Sequence, residues 1–264
     1  MKKTIIDLQT HDERVMTRFS LEALKSRLKS RLPTAIRHRL KRIYRPVRFG
    51  NLRRVTPIGR SFGYDRGLLP IDRYYIEGFL ARHAADIQGR VLELEDNSYT
   101  LRFGGNHVTQ SDVLDLLESN PRATFVGDLT KADHLPSGVF DCIILTQALQ
   151  IIYDVRAALK TLYRILKPEG VLLVTVPGIS QVVHGPHDTW GSTWSFTGRA
   201  VQQLFEEIFP ASEVEVEVHG NVLVALAFLH GLALEELRSE ELEYNDPDYQ
   251  VLITVKAVKP RTTL

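Results

Sequence analysis

The run Gly89-Arg-Val-Leu-Glu-Leu94 is followed by Val108-Thr-Gln-Ser-Asp112, Gly127-Asp-Leu129 and Phe140-Asp-Cys-Ile-Ile-Leu145. After a helix-like stretch comes Leu166-Lys-Pro-Glu-Gly-Val-Leu-Leu-Val-Thr-Val-Pro177. Near-continuous apolar runs of this length suit strands covered on both faces, and amphipathic segments between them suit the covering helices. An acidic residue, Glu93, Asp112 or Asp128, stands at or just after the end of each of the first three strands. This rhythm predicts an α/β domain in which helices cover both faces of a mostly parallel sheet. Its ligand-binding groups should gather at the strands' carboxyl edge.

Outward from that core, Asp72 is placed to cap a helix carrying Ile76, Phe79 and Leu80 on one stripe. Downstream, Thr197 is placed to cap a helix reaching Phe209, and Glu213-Val-Glu-Val-Glu-Val-His219 alternates as a strand with one wet face does. Gly220-Asn221 reads as a turn, Val222 to Leu237 as a strongly apolar helix within an insertion reaching residue 243, and Tyr249 to Val258 as a final strand. The predicted organisation is a basic arm over residues 1–55 and one domain over 56–264.

The chain has 264 residues, 44% hydrophobic and 25% charged, which suits a globular domain with a full core. A single cysteine excludes an internal disulfide and a cysteine-rich zinc site, and Cys142 lies in an apolar strand as a packing thiol. The start lacks a sustained apolar stretch and the longest apolar run, Val222 to Leu229, is too short to span a bilayer; a cytoplasmic protein is expected. The net charge of +1 conceals a segregation: Ala23 to Tyr64 holds thirteen Lys or Arg and no Asp or Glu. Within it, Thr34-Ala-Ile-Arg-His-Arg-Leu-Lys-Arg-Ile-Tyr44 places Ile36, Leu40 and Ile43 on one stripe of a basic helix. Such an arm either packs on its own domain or docks on an anionic membrane surface or a partner; phosphate tracking along nucleic acid is the least favoured use.

The order and wording of residues 90–177 resemble a class I S-adenosyl-L-methionine-dependent methyltransferase, over about two thirds of the chain. The resemblance implies a Rossmann-like sheet of seven strands with the last one antiparallel. It assigns Glu93 to the end of the first strand and Asp112, nineteen positions on, to the ribose hydroxyls. It assigns Asp128 to the adenine amino group, with Leu129 flanking the ring. A helix before the first strand covers the cofactor in this family, which points to Arg66, Arg73 and Tyr74, a cation there meeting the methionine carboxylate. The first loop departs from the family's Gly-x-Gly-x-Gly: here it reads Glu95-Asp-Asn-Ser-Tyr99, with Gly104-Gly105 arriving late. Asp96 and Asn97 become the candidate loop contacts, Asn97 because asparagine tolerates the left-handed backbone region. Tyr99 leaves less room than glycine.

Segments Asp65 to Glu77, Thr146-Gln-Ala-Leu-Gln150, Gly178-Ile-Ser-Gln181 and Asp246-Pro-Asp-Tyr249 are similar to the methyltransferase type 11-like subgroup associated with bacterial glycosyltransferases. That resemblance implies O-methylation of a sugar or polysaccharide precursor, with a glycan or small-molecule acceptor and a glycosyltransferase as possible partner of the arm. A homodimer through the apolar helix is a further expectation. The subgroup's Trp-Gly-Asp-Tyr-Trp-Arg-Phe-Thr loop is here Trp190-Gly-Ser-Thr-Trp-Ser-Phe-Thr197, without its acid, tyrosine and arginine. An altered glycine loop and an altered tryptophan loop are what a non-catalytic scaffold of the same fold also carries.

Methyl transfer is an in-line displacement that needs positioning and, for a hydroxyl nucleophile, a general base. Gln147, a candidate cofactor contact, and Gln150 follow the fourth strand, and His184, His187 and Asp188 lie in the loop after the fifth; these last three are the base candidates. His-x-x-His-Asp also fits a metal, but no companion ligand cluster appears elsewhere in the sequence, so no metal is expected. Trp190 and Trp194 serve either as a platform for a sugar face or as loop anchors. No Asn- or Asp-Pro-Pro-aromatic sequence follows the fourth strand, which argues against methylation of nucleic acid bases.

Overall fold

The computed structural model describes residues 53–185 and 190–261, with Pro33, Ile36 and Gly50 besides. By its backbone contacts the chain divides into units of residues 1–55 and 56–264. The basic helix expected near residues 34–44 falls outside the described residues apart from Ile36. The larger unit holds helix α1 (Ile71–Arg82), strands β1 (Gly89–Leu94), β2 (Val108–Asp115), β3 (Phe125–Val126) and β4 (Phe140–Thr146), helix α2 (Val155–Ile165) and strand β5 (Leu166–Pro177). Helix α3 (Gly198–Glu206), strand β6 (Val214–His219), helices α4 (Val222–Leu229) and α5 (Ser239–Glu243) and strand β7 (Leu252–Val258) follow.

The seven strands lie in the order β3-β2-β1-β4-β5-β7-β6. Strands β1 to β5 pair in parallel, and β7 runs antiparallel to both β5 and β6. The predicted Rossmann-like sheet with an antiparallel last strand is therefore present. The strand order reverses at β1, with β2 on one side and β4 on the other, and this switch opens a crevice at the carboxyl edge.

Alternation along the strands builds two cores. Leu92, Ile143 and Leu145 join α2 and α3 on one face, while Val91, Cys142 and Ile144 join α1 and α4 on the other. Helix α2 buries Val155, Ala158, Leu159, Leu162 and Ile165, the spacing of one helical stripe. Asp154 caps it by accepting from the Ala157 N–H, and Thr197 caps α3 by accepting from Ala200. Cys142 is fully buried, and desolvation pushes its thiol well above the ordinary range, consistent with a packing role.

Three local expectations change. Pro70, not Asp72, is the N-cap of α1, so Asp72 sits inside the first turn. The apolar helix expected to Leu237 stops at Leu229, because Gly231 turns into the left-handed region (φ 66°) and packs against the Gly59 backbone. No helix among the described residues is long and apolar enough to cross a membrane.

The third change concerns β2. It continues through Val113-Leu114 to Asp115, which leaves Asp112 in mid-strand opposite Leu92. Asp112 is buried and accepts from Arg90 Nε at 2.7 Å, and the guanidinium lies over the Phe140 ring at 5.2 Å. A carboxylate tied down there is a structural partner of Arg90, away from the carboxyl edge of the sheet. Asp112→Ala leaves the partly exposed Arg90 charge uncompensated against Phe140 and should cost about 1–3 kcal/mol. Urea unfolding measures this, and an unchanged midpoint would show that the pair contributes nothing.

Candidate functional site

At the carboxyl edge, the loop after β1 is organised by one buried carboxylate. Glu93 accepts from the Thr100 N–H (2.8 Å), the Thr100 hydroxyl (2.7 Å) and the Tyr99 N–H (3.2 Å). Asp96 closes a small turn by accepting from the Ser98 N–H and hydroxyl. Directly after the strand, Glu95 adopts φ 65°, the left-handed conformation that a glycine would take without strain. The sequence reading placed that conformation at Asn97; instead Asn97 donates through Nδ2 to Ser111 Oγ on β2 and turns away from the crevice.

Among the described residues several cavities adjoin this loop, and Glu95 lines the three largest of them. The first, about 480 Å³, is bounded by Arg73, Glu77, Glu93, Asp96, Tyr99 and Gln147. The second, about 530 Å³, is bounded by Asp115, Leu116, Leu117, Asp128 and Ile152. The third, about 210 Å³, lies among Asp72, Gln147, Gln150, Ser180 and Trp190. Arg73 donates to the Tyr99 hydroxyl at 3.1 Å, which fixes both side chains at the wall of the first.

Of the predicted contacts, Arg73, Glu93, Asp96 and Gln147 meet at the first cavity, and Asp128 reaches the second. Asp128 also caps the turn Leu129–Lys131 by accepting from Thr130, with Leu129 buried beneath it. Tyr74 instead packs edge-on against Tyr75, with the core of α1 and α4. Arg66 is held in an exposed pair with Glu236. His184 is exposed, bridges to Gly191 through the backbone and lines none of the three cavities. His187 and Asp188 lie outside the described residues. Trp194 anchors its loop by donating to the carbonyls of Ile152 and Tyr153, whereas Trp190 faces two of the cavities.

The residues missed are Asp115, Glu95 and Asp72. Asp115 ends β2, and the apolar pair Val113-Leu114 just before it was the signal that the strand runs past Asp112.

Burial pushes the Glu93 carboxyl up to about 7, against the opposing pull of its Thr100 and Tyr99 donors. Its folded value thus lies above the ordinary 4.5, so the native state binds the proton more tightly. The stability it contributes is complete below pH 4.5 and is lost as pH rises through about 7. Glu93→Gln should remove a pH-dependent component of roughly 3 kcal/mol across that window. Denaturant titrations at several pH values test this, and equal slopes for both proteins would refute it.

Residues 77–174 match the family model described as a methyltransferase domain. The ubiquinone/menaquinone biosynthesis C-methyltransferase of Enterobacter sp. (strain 638) is 33% identical over 86 residues, covering 33% of this chain and 32% of that protein. The chain thus matches only about a third of that relative's length. A solved structure, an S-adenosylmethionine-dependent methyltransferase from Listeria monocytogenes described as putative, superposes with TM-score 0.52 at 12% identity, covering 72% of this chain and 99% of that one. The fold is that of a class I methyltransferase. The [4+2]-cyclase SpnF shares it at TM-score 0.50 and 13% identity, covering 79% of this chain and 89% of that one. The class I methyltransferase fold therefore does not by itself fix the reaction, and the site must carry that argument.

Proposed function

We propose that the chain binds S-adenosyl-L-methionine along the carboxyl edge and transfers its methyl group to a hydroxyl of a sugar-like acceptor. The observation that carries this reading is the chemistry of the two larger cavities, the first lined by Glu93, Glu95 and Asp96 with Arg73 and Arg102, the second by Glu95, Asp115 and Asp128. Such a lining suits a ligand with cationic groups at its centre, ribose hydroxyls to one side and a carboxylate at one end. The path of the entrance loop supports this reading, since Asn97 turns away and Tyr99 is held against Arg73 at the cavity wall.

Asp115 takes the ribose hydroxyls in place of Asp112, Asp128 and Leu129 take the adenine, and Arg73 takes the methionine carboxylate. When bound, the sulfonium supplies an electrophilic methyl group. The chain's own residues hold the acceptor in line with it and exclude water. Supporting the methyltransferase reading are the matched domain over residues 77–174 and the C-methyltransferase likeness within it. The transfer to oxygen rests on the resemblance of Asp65 to Glu77 and on the polar side chains of Asp72, Gln147, Gln150 and Ser180 in the third cavity, where the acceptor would sit.

A non-catalytic scaffold is the second reading, favoured by Glu95 standing where a glycine would leave the backbone open to the ligand. Calorimetry separates the two. S-adenosyl-L-methionine should bind the wild type, Asp115→Ala should weaken binding tenfold or more, and Asp112→Ala should leave the affinity of the folded protein unchanged. Absence of heat with both the cofactor and its demethylated product would leave the scaffold standing.

A further inference from the structure

We propose that Asp72 is a catalytic residue of the acceptor site, accepting the proton of the acceptor hydroxyl as its oxygen is methylated. This deepens the methyl-transfer reading and rests on it. Asp72 is only 9% exposed, and among the described residues its Oδ1 has no hydrogen-bond partner. It lines the smallest of the three cavities, whose wall also includes Gln147 and Gln150. Both amides carry buried atoms without partners, Nε2 of Gln147 and Oε1 of Gln150. The residues of this wall thus carry three orphaned polar atoms, each with a desolvation cost that a bound polar ligand would offset.

The surrounding structure holds these groups in place. Gln147 is kept at φ 52° while its N–H donates to the Thr175 carbonyl at 2.9 Å. Gln150 Nε2 donates to the Gln147 carbonyl at 2.7 Å, and the Gln150 carbonyl accepts from Thr193 and Trp194. Strained, over-determined backbone of this kind concentrates at functional sites. Burial raises the Asp72 carboxyl, opposed in part by the Arg73 guanidinium and the N–H groups of the first turn. That direction brings a carboxylate closer to the range in which a base works at neutral pH.

The unpartnered atoms are a carboxylate oxygen and an amide oxygen, which accept, and an amide N–H, which donates. Vicinal hydroxyls of a neutral sugar satisfy all three, whereas an anionic group would face Asp72. In the step, the acceptor oxygen forms a bond to the methyl carbon as the carbon–sulfur bond breaks. The hydroxyl proton passes to Asp72, and the sulfur departs as a neutral thioether.

The test uses the full chain with S-adenosyl-L-methionine, methyl-labelled, and a set of methyl and p-nitrophenyl pyranosides as probes. Asp72→Asn is expected to keep cofactor affinity, to keep or raise thermal stability because a buried charge is removed, and to lower label transfer on the order of 10²–10⁴-fold. Saturation-transfer NMR with the demethylated product bound should detect pyranoside on the wild type, and Gln150→Leu should weaken that signal with cofactor affinity intact. Undiminished transfer by Asp72→Asn overturns the proposal, as does a loss of its stability, which would mark a structural role. No pyranoside binding or transfer by the cofactor-loaded wild type overturns it equally. Failure of the wild type to bind cofactor overturns the underlying methyl-transfer reading instead, and with it this one.

Discussion

The capture of the Tyr99 and Thr100 N–H groups by the Glu93 carboxylate is the interaction on which the rest of the site depends. A glycine-rich loop follows a tight path because its residues tolerate it; this loop, with Glu, Asp, Asn, Ser and Tyr, is pulled into its path by a buried acid. The anchored turn places Tyr99 against Arg73 and leaves Glu95 where the cavities of the crevice meet. A hydrogen-bonded carboxylate here does the work that small residues do elsewhere.

The sheet was legible from the sequence because its signal is redundant: five apolar runs, spaced by amphipathic segments, admit few other arrangements. Caps at Asp154 and Thr197 follow local chemistry and sharpen helix starts. What misled was a charged residue inside a strand. Asp112 looked like a strand end because the resemblance assigns it to the ribose hydroxyls, but its partner Arg90 lies on the neighbouring strand, 22 residues away in sequence. Pairing across strands is a tertiary fact, invisible in a single run of residues.

The site was legible in part for the same reason. Residues adjoining strand ends, such as Glu93, Asp96, Asp128 and Gln147, are placed by the strands and could be expected at the edge. Asp72 was read as a cap since acids favour first turns, and only the packing of α1 against the crevice distinguishes a cap from a wall residue. Tyr74, its near neighbour, turns to the opposite side of the same helix, onto Tyr75. Helix phase decides between them, and one residue of phase is a rotation of about 100°.

The clasp between the segments after β4 and β5 bears on how acceptor preference changes. Thr193 and Trp194 hydrogen-bond to the Gln150 carbonyl, and the Trp194 indole reaches the carbonyls of Ile152 and Tyr153, so these stretches are riveted together. Rigid walls of this kind accommodate a new guest by exchanging side chains that face inward, such as Ile151 or Val183, rather than by flexing. Selectivity in such a molecule drifts through volume and polarity at fixed positions, one substitution at a time.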